Sequence, residues 1–436
     1  MKYVSTRGKA PVLSFEEVLL TGLARDGGLY VPECWPQFSA DDIRGFQGLS
    51  YTETAVRVMA PFLGDIMTED ALADLVEDTY ANFDHPDVAP LKQLGEAEWI
   101  MELFHGPTLA FKDYALQFLG RLFGYVLDKR GEHLTIVGAT SGDTGSAAIE
   151  GCRGRDAIDI FILHPEGRVT EVQRRQMTTI DEPNVHNIAV QGTFDDCQDM
   201  VKAMFNDQAF RDRCKLSAVN SINWARIVAQ IVFYFRAGAQ LGAPDKPLCF
   251  TVPTGNFGNV FAGYVAREMG LAVEQFIVGA NRNDILTRFF LSGTLEITGV
   301  VPTISPSMDI QVSSNFERML FELMDRDGLR VAETMDRFRE QGMFSFEPDL
   351  LAKARALFDS DSFNDDETKG IIAKVYKETG ELIDPHSAIG LAAGRNKRRN
   401  RDIPMVAMAT AHPAKFPDIV TAATGAHPAL PASLAG

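Results

Sequence analysis

Lys112 stands in the segment His105-Gly106-Pro107-Thr108-Leu109-Ala110-Phe111-Lys112-Asp113-Tyr114, with an apolar run before it and Tyr114-Ala115-Leu116-Gln117-Phe118-Leu119, one-faced and apolar, after it. Most lysines lie on solvated faces. A desolvated amine gives up its proton more readily, and a neutral lysine amine attacks aldehydes to form a Schiff base. Taken alone, a lysine snorkelling near a helix start is the simpler reading of this segment.

Two glycine-rich loops stand beside it. In Thr251-Val252-Pro253-Thr254-Gly255-Asn256-Phe257-Gly258-Asn259, two glycines three apart lie between a predicted strand and a predicted helix. Such a turn brings several amide N–H groups together at a helix amino terminus, which makes a cradle for one phosphate. It lacks the Gly-Lys-Ser/Thr of a P-loop, so Mg-nucleotide binding has no support, and a tight turn that needs glycine for geometry alone explains it equally well. The second loop is Gly138-Ala139-Thr140-Ser141-Gly142-Asp143-Thr144-Gly145-Ser146. Its glycines are separated by three residues and then two, where a dinucleotide fingerprint needs one and then two. The acidic residue is also misplaced, because Asp159 begins the next strand rather than ending it. A nicotinamide-dependent dehydrogenase is therefore remote. The loop offers backbone amides and the hydroxyls of Thr140, Ser141 and Thr144, which suit a small carboxylate. A Schiff-base lysine, a cradle for one phosphate and a carboxylate loop are together what a pyridoxal-phosphate enzyme acting on an amino acid requires.

These residues need a scaffold that presents loops at strand ends. After Asp84-His85-Pro86 the chain alternates short apolar strands, glycine-rich loops and helices, which predicts parallel sheets covered by helices. Strands are expected at Leu134–Val137, Leu248–Val252 and Met405–Met408, with helices from Ser146, through Tyr264 to Met269 after the loop Pro253–Asn259, and after Pro417. Ligands in such folds sit at the carboxyl ends of strands. Residues 1–85 read as a separate, mainly helical unit, and residues 86–436 as the core. A more charged, helical insertion is expected at about 281–366, with amphipathic candidates at Phe316–Phe321 and Ala332–Phe338.

The chain has 436 residues, room for about three compact units. Its 42 Lys and Arg against 59 Asp and Glu give a net charge of −17, a field that repels nucleic acid, so any anionic ligand must be held locally. The basic run Arg395, Lys397, Arg398, Arg399 and Arg401 reads as a solvated loop. Cys34, Cys152, Cys197, Cys214 and Cys249 are an odd number without a C-x-x-C pair, which fits reduced thiols; no metal site is expected. Neither a leader nor a membrane span is visible, so a cytoplasmic protein is expected.

The ordered motifs carry a resemblance across nearly the whole chain. Asp26-Gly27-Gly28-Leu29-Tyr30-Val31-Pro32, HGPTLAFKD around Lys112, SGDTGSAA from Ser141, NSINWARI from Asn220, TGNFGN from Thr254, SNFER from Ser314, DPHSAIG from Asp384 and ATAHPAKF from Ala409 are similar to blocks of the threonine synthase family, of the enteric-bacterial and fungal type. That family belongs to the tryptophan-synthase-β-like, fold type II pyridoxal-phosphate enzymes. The resemblance implies an α/β fold with two open parallel-sheet subdomains and a small amino-terminal domain. It also implies conversion of O-phospho-L-homoserine and water to L-threonine and phosphate, by a monomer or homodimer.

Carried over residue by residue, Lys112 forms the internal aldimine, and Gly255, Asn256, Phe257, Gly258 and Asn259 bind the cofactor phosphate. The Thr410 hydroxyl contacts the pyridine nitrogen, and a neutral hydroxyl makes the ring a weaker electron sink than a carboxylate partner would. Ser141, Gly142, Asp143 and Thr144 are candidates for the substrate carboxylate, although relatives often have asparagine where Asp143 stands. Arg226, Arg318 and Lys415 are candidate cations for the substrate phosphate. A serine/threonine dehydratase shares the lysine, the cradle and the fold but needs no second phosphate site. A non-catalytic binder of a phosphorylated metabolite would be colourless.

Overall fold

Leu248–Pro253 is buried along its whole length, as a mostly apolar strand inside a parallel sheet must be, and its one hydroxyl, on Thr251, donates to the Gly390 carbonyl. In the computed structural model, which describes every residue except 141, 168, 170, 218, 219 and 433–436 and the side chain of residue 195, this strand lies inside a six-stranded sheet. The order is Phe358–Ser362, Val273–Ala280, Leu248–Pro253, Met405–Ala409, Glu98–Glu102 and Leu91–Gly95, with only the last pair antiparallel. A second sheet is wholly parallel and runs Val185–Val190, Ile158–Pro165, Leu134–Ala139, Leu216–Ser217. Two open parallel sheets dressed with helices are the fold type II arrangement.

The amino-terminal region carries the helices Phe15–Thr21, Ala40–Arg44, Tyr51–Leu63 and Glu69–Tyr80. It also holds a small antiparallel sheet in which Lys2–Ser5 lies between Leu13–Ser14 and Tyr30–Pro32. Asp26 shapes the turn before the last of these strands by accepting from the Gly28, Lys9 and Ala10 amides and from the Ser5 hydroxyl. The charged segment from about 281 is helical at Ile285–Ser292, Phe316–Leu323, Gly328–Gln341 and Pro348–Leu357. Its last strand, Phe358–Ser362, is no appendage but the edge of the six-stranded sheet, paired with Phe276 to Ala280. No described helix is long and apolar enough to cross a membrane.

Two helices set the site. Lys112–Arg130 and Asp143–Cys152 cross so closely that a Cβ on Gly120 would lie 1.9 Å from the Gly151 carbonyl oxygen. Glycine is required there, and the crossing fixes the two amino-terminal residues, Lys112 and Asp143, relative to each other. The second helix begins at Asp143 rather than at the expected Ser146. The Thr140 hydroxyl caps it from inside the loop, accepting from the Gly142 amide at 3.0 Å and the Gly145 amide at 2.8 Å. The basic run near the carboxyl end is partly ion-paired rather than merely solvated. Arg395 pairs with Glu98 and Glu378, and Arg399 with Asp359.

Candidate active site

Helix starts and strand ends converge on one place. Strand Leu134–Ala139 leads to Asp143, strand Leu248–Pro253 to Gly258, and strand Met405–Ala409 to Thr410. Lys112 begins its own helix beside them. Its side chain is 12% exposed, its ammonium lies 4.9 Å from the Phe111 ring centre, and Asp143 Oδ2 is 3.8 Å away. Burial pushes its pKa down; Asp143 works against the shift, while the charges of Lys415 and Arg226 add to it.

The loop before Lys112 is built around the buried Asp113 carboxylate, which accepts from the Thr108 amide at 2.8 Å and the Thr108 hydroxyl at 2.5 Å. Burial raises that carboxyl to about 6, against the pull of these hydrogen bonds. A Cβ on Gly106 would strike Asp113, so the glycine of HGPT is a packing requirement. The Phe111 amide donates to the Thr410 carbonyl at 2.9 Å, and the His412 amide to the Leu109 carbonyl at 3.0 Å. Lysine loop and threonine loop are thereby zipped together.

The candidate phosphate loop, Gly255 to Asn259, is a turn between strand Leu248–Pro253 and a helix. Phe257 takes a left-handed backbone conformation at φ 61°, which turns the chain into the helix Gly258–Glu268. Among the described residues the amides of 255–257 have no acceptor, and those of the first helical turn have no intrahelical partner. A Cβ on Gly255 would lie 2.8 Å from the Ser307 carbonyl oxygen, so glycine there is what lets the Ser307 turn pack against the loop. Asn259 instead faces the core, where Tyr234 donates to its side-chain oxygen at 2.7 Å.

Asp143 is tightly held. Its Oδ1 lies 2.7 Å from the Lys415 ammonium and accepts from Gln173 Nε2 at 2.9 Å; its Oδ2 accepts from the Ser307 hydroxyl at 3.1 Å. Burial opposes its ionisation, but Lys415, Lys112 and Gln173 outweigh burial and hold the carboxyl far below the usual range. Asp143 is thus a partner of lysines and not a ligand for a substrate carboxylate, with which it would share a negative charge. Ser141 lies outside the described residues. The Gly142 and Gly145 amides are taken by Thr140, which leaves the 143 and 144 amides and the Thr144 hydroxyl at that helix start.

The three candidate cations separate sharply. Arg318 is fully buried and donates to the carbonyls of Tyr30 and Ile222 and to Asn315, so its guanidinium fastens three distant segments and has no fork left for a phosphate. Lys415 is 0% exposed and bound to Asp143 and the Thr108 carbonyl, so it cannot reach a ligand either. Arg226 differs. It is 4% exposed, burial drives its pKa down to about 10, and its Nε and Nη1 have no hydrogen-bond partner among the described residues.

A hub that sequence reasoning missed lies in Asp384-Pro385-His386-Ser387. Asp384 caps the helix Pro385–Lys397, accepting from the His386 and Ser387 amides, His386 Nδ1 at 2.6 Å and the Ser387 hydroxyl. Ser387 Oγ in turn accepts the Thr410 amide at 3.1 Å, and His386 Nε2 accepts the Ser307 amide at 3.2 Å. One buried carboxylate thus positions both Thr410 and the Ser307 turn that lies over Gly255 and Asp143. The Thr410 hydroxyl itself makes no hydrogen bond among the described residues. The block was visible as a motif; the signal for its role was an N-cap aspartate followed by two polar side chains one and two positions past the proline.

Comparison with known proteins agrees with this geometry. Residues 2–80 match the model of the threonine synthase N terminus, 85–337 that of pyridoxal-phosphate dependent enzymes, and 387–436 that of the threonine synthase C-terminal region. Threonine synthase of Pseudomonas aeruginosa is 58% identical over 436 residues, covering 100% of this chain and 93% of that protein. The chain belongs to the threonine synthase family. Its structure also superposes on that of a pyridoxal-phosphate-bound threonine synthase from Brucella melitensis with a TM-score of 0.98, at 55% identity and with 100% and 93% of the two chains covered. For yeast threonine synthase the TM-score is 0.91 at 41% identity, with 97% and 89% covered.

Proposed function

We propose that this chain is a threonine synthase that uses pyridoxal 5'-phosphate to convert O-phospho-L-homoserine and water into L-threonine and phosphate. The observation that carries the reading is the meeting of a desolvated Lys112 amine, a turn of unpaired backbone amides at Gly255–Gly258 and a buried arginine unpartnered among the described residues. The cradle fits the cofactor phosphate, and the free Thr410 hydroxyl fits a ring nitrogen. Bound there, the cofactor supplies an aldehyde for amines and an electron sink for the charge left when C–H bonds break.

The protein's own groups do the rest. Lys112 attaches the cofactor and, as a neutral amine, moves protons at the substrate α-carbon. The 143 and 144 amides, with the Thr144 hydroxyl, receive the substrate carboxylate at a helix amino terminus. Arg226 holds the leaving phosphate, whose growing charge its two free N–H positions stabilise. Water then adds at the β-carbon. A second phosphate site separates this reading from a dehydratase, which releases no phosphate and has no work for Arg226. The enzyme acts in the cytoplasm on a small molecule, as a monomer or homodimer.

The test is phosphate release from O-phosphohomoserine by the yellow holoenzyme. Lys112→Ala abolishes both colour and turnover; Arg226→Met keeps the colour but lowers turnover by about 100-fold, the order expected on losing one charge-stabilising donor. Ammonia and a keto acid formed from threonine, with no phosphate release, would overturn the assignment.

A further inference from the structure

Resting on the reading that Lys112 holds an aldehyde cofactor, we infer that Lys415 is a charge-balancing residue that occupies Asp143 and so leaves the Lys112 amine free of a proton. The geometry is asymmetric. One carboxylate faces two lysines, in hydrogen-bond contact with Lys415 at 2.7 Å but 3.8 Å from Lys112. Lys415 closes a short turn, Pro413–Lys415, and its ammonium is anchored a second time by the Thr108 carbonyl at 2.7 Å. The Thr108 turn is itself fixed by Asp113.

A buried carboxylate stabilises whichever cation lies nearest. With Lys415 removed, the nearest cation to Asp143 is Lys112, and the carboxylate would then hold that lysine as an ammonium. An ammonium has no electron pair with which to attack an aldehyde. The other charged groups around Lys112 do not replace Lys415. Arg226 on the helix Trp224–Leu241 is a cation without an acid partner among the described residues, and the Asp113 carboxylate is turned to the Thr108 amide and hydroxyl. Lys415 is fully enclosed, so its charge serves the interior of the site and not a ligand.

The experiment titrates Lys112 in the cofactor-free full-length chain, by competitive acylation of amines across a pH series with the Lys112 peptide quantified by mass spectrometry. Lys415→Met is expected to raise the labelling midpoint by about 1–2 pH units, equivalent to a 10- to 100-fold fall in labelling at a fixed pH below it. Lys415→Arg restores the wild-type midpoint. In the double variant Asp143→Asn, Lys415→Met both members of the pair are gone, and the midpoint returns toward wild type. That reversal is the decisive arm, because a lysine that only props up the fold predicts further damage from the second change; circular dichroism confirms that each variant is folded. An unmoved midpoint in Lys415→Met, or a shift that the double variant fails to reverse, overturns the inference. Borohydride trapping of pyridoxal phosphate on the wild-type chain is read separately. If Lys112 carries no label, the cofactor reading falls while the titration still decides the charge balance.

Discussion

Gly120→Ala should unseat the active site from a distance. The added Cβ would stand 1.9 Å from the Gly151 carbonyl oxygen and 2.6 Å from its carbon, against 3.4 Å or more for an ordinary contact. Both offending atoms are helix backbone, so no side chain can swing away, and the helices Lys112–Arg130 and Asp143–Cys152 must part. A gap of ~1.5 Å over a contact patch of ~70 Å² opens ~100 Å³, which at about 24 cal/mol per Å³ costs ~2.4 kcal/mol. Alanine returns about 1 kcal/mol in helix propensity, leaving a net loss of ~1.5 kcal/mol. Gly124→Ala on the same helix is the internal control. Its Cβ would meet only the Arg155 guanidinium at 3.6 Å, an ordinary contact, so that variant gains up to about 1 kcal/mol. Urea midpoints of the full-length proteins measure the difference, expected at ~2.5 kcal/mol between the two variants. Because Lys112 and Asp143 start the two crossing helices, Gly120→Ala should also slow cofactor uptake. Equal stability of the two variants would refute the claim that this crossing has no room for a methyl group.

Two further outcomes follow from the polar framework. Ser387→Ala removes the acceptor of the Thr410 amide and a donor to Asp384, at a cost of about 1–3 kcal/mol for the stranded buried groups, and it frees the Thr410 loop. Thermal unfolding and the visible spectrum of the bound cofactor should both move; a variant unchanged in both would show that Thr410 is fixed by other means. Burial lowers the His412 imidazole to about 4, with His105 adding repulsion. The unfolded chain therefore takes up this proton near pH 6.5 and the folded one only near pH 4, so stability is lost as pH falls through that window, by roughly 3 kcal/mol at most. His412→Asn keeps a cap for the Ala414 amide and cannot protonate, so its stability relative to wild type should rise between pH 7 and pH 4. The comparison isolates His412 from Asp113, whose raised carboxyl titrates in the same range with the opposite sign. A constant difference between the two proteins across that range would sink the assignment.

The sequence disclosed those parts of the site that depend on local backbone chemistry. Glycines 255 and 258 marked a tight strand-to-helix turn, which packs on Ser307 and Asn315, and only their combination with the apolar approach to Lys112 pointed to a buried amine in a site. The strands were legible because buried parallel strands are mostly apolar, though the expected ones stop one or two residues short of the observed ends at Ala139, Pro253 and Ala409. The start of the helix at Asp143 was not, because the cap that moves it is the Thr140 hydroxyl folding back inside the loop, a bond that leaves no periodicity in the sequence. Nor could local sequence sort the cations. Arg318 is saturated by acceptors from residues 30, 222 and 315, which only the tertiary fold brings together. Lys415 and Asp143 are 272 positions apart in the chain and in contact in space.

The same sorting resolves how a chain with a net charge of −17 can serve a phosphorylated substrate. At physiological ionic strength the Debye length is about 8 Å, so the acidic surface is screened a short way from the protein and acts mainly on encounter. Inside the site the accounting differs. Lys415 is cancelled by Asp143, Arg318 by carbonyl dipoles, and Arg7 by Glu317 at 2.9 Å. Arg226 alone among these buried cations has both its Nε and an Nη without a hydrogen-bond partner and no acid partner among the described residues. Holding an unpaired cation away from water raises the free energy of the empty site, and a dianion that enters removes that penalty. On the proposed role of Arg226, affinity for phosphate would come from one unpaired guanidinium rather than from the protein's overall field, and an acidic surface and an anionic substrate would then be compatible.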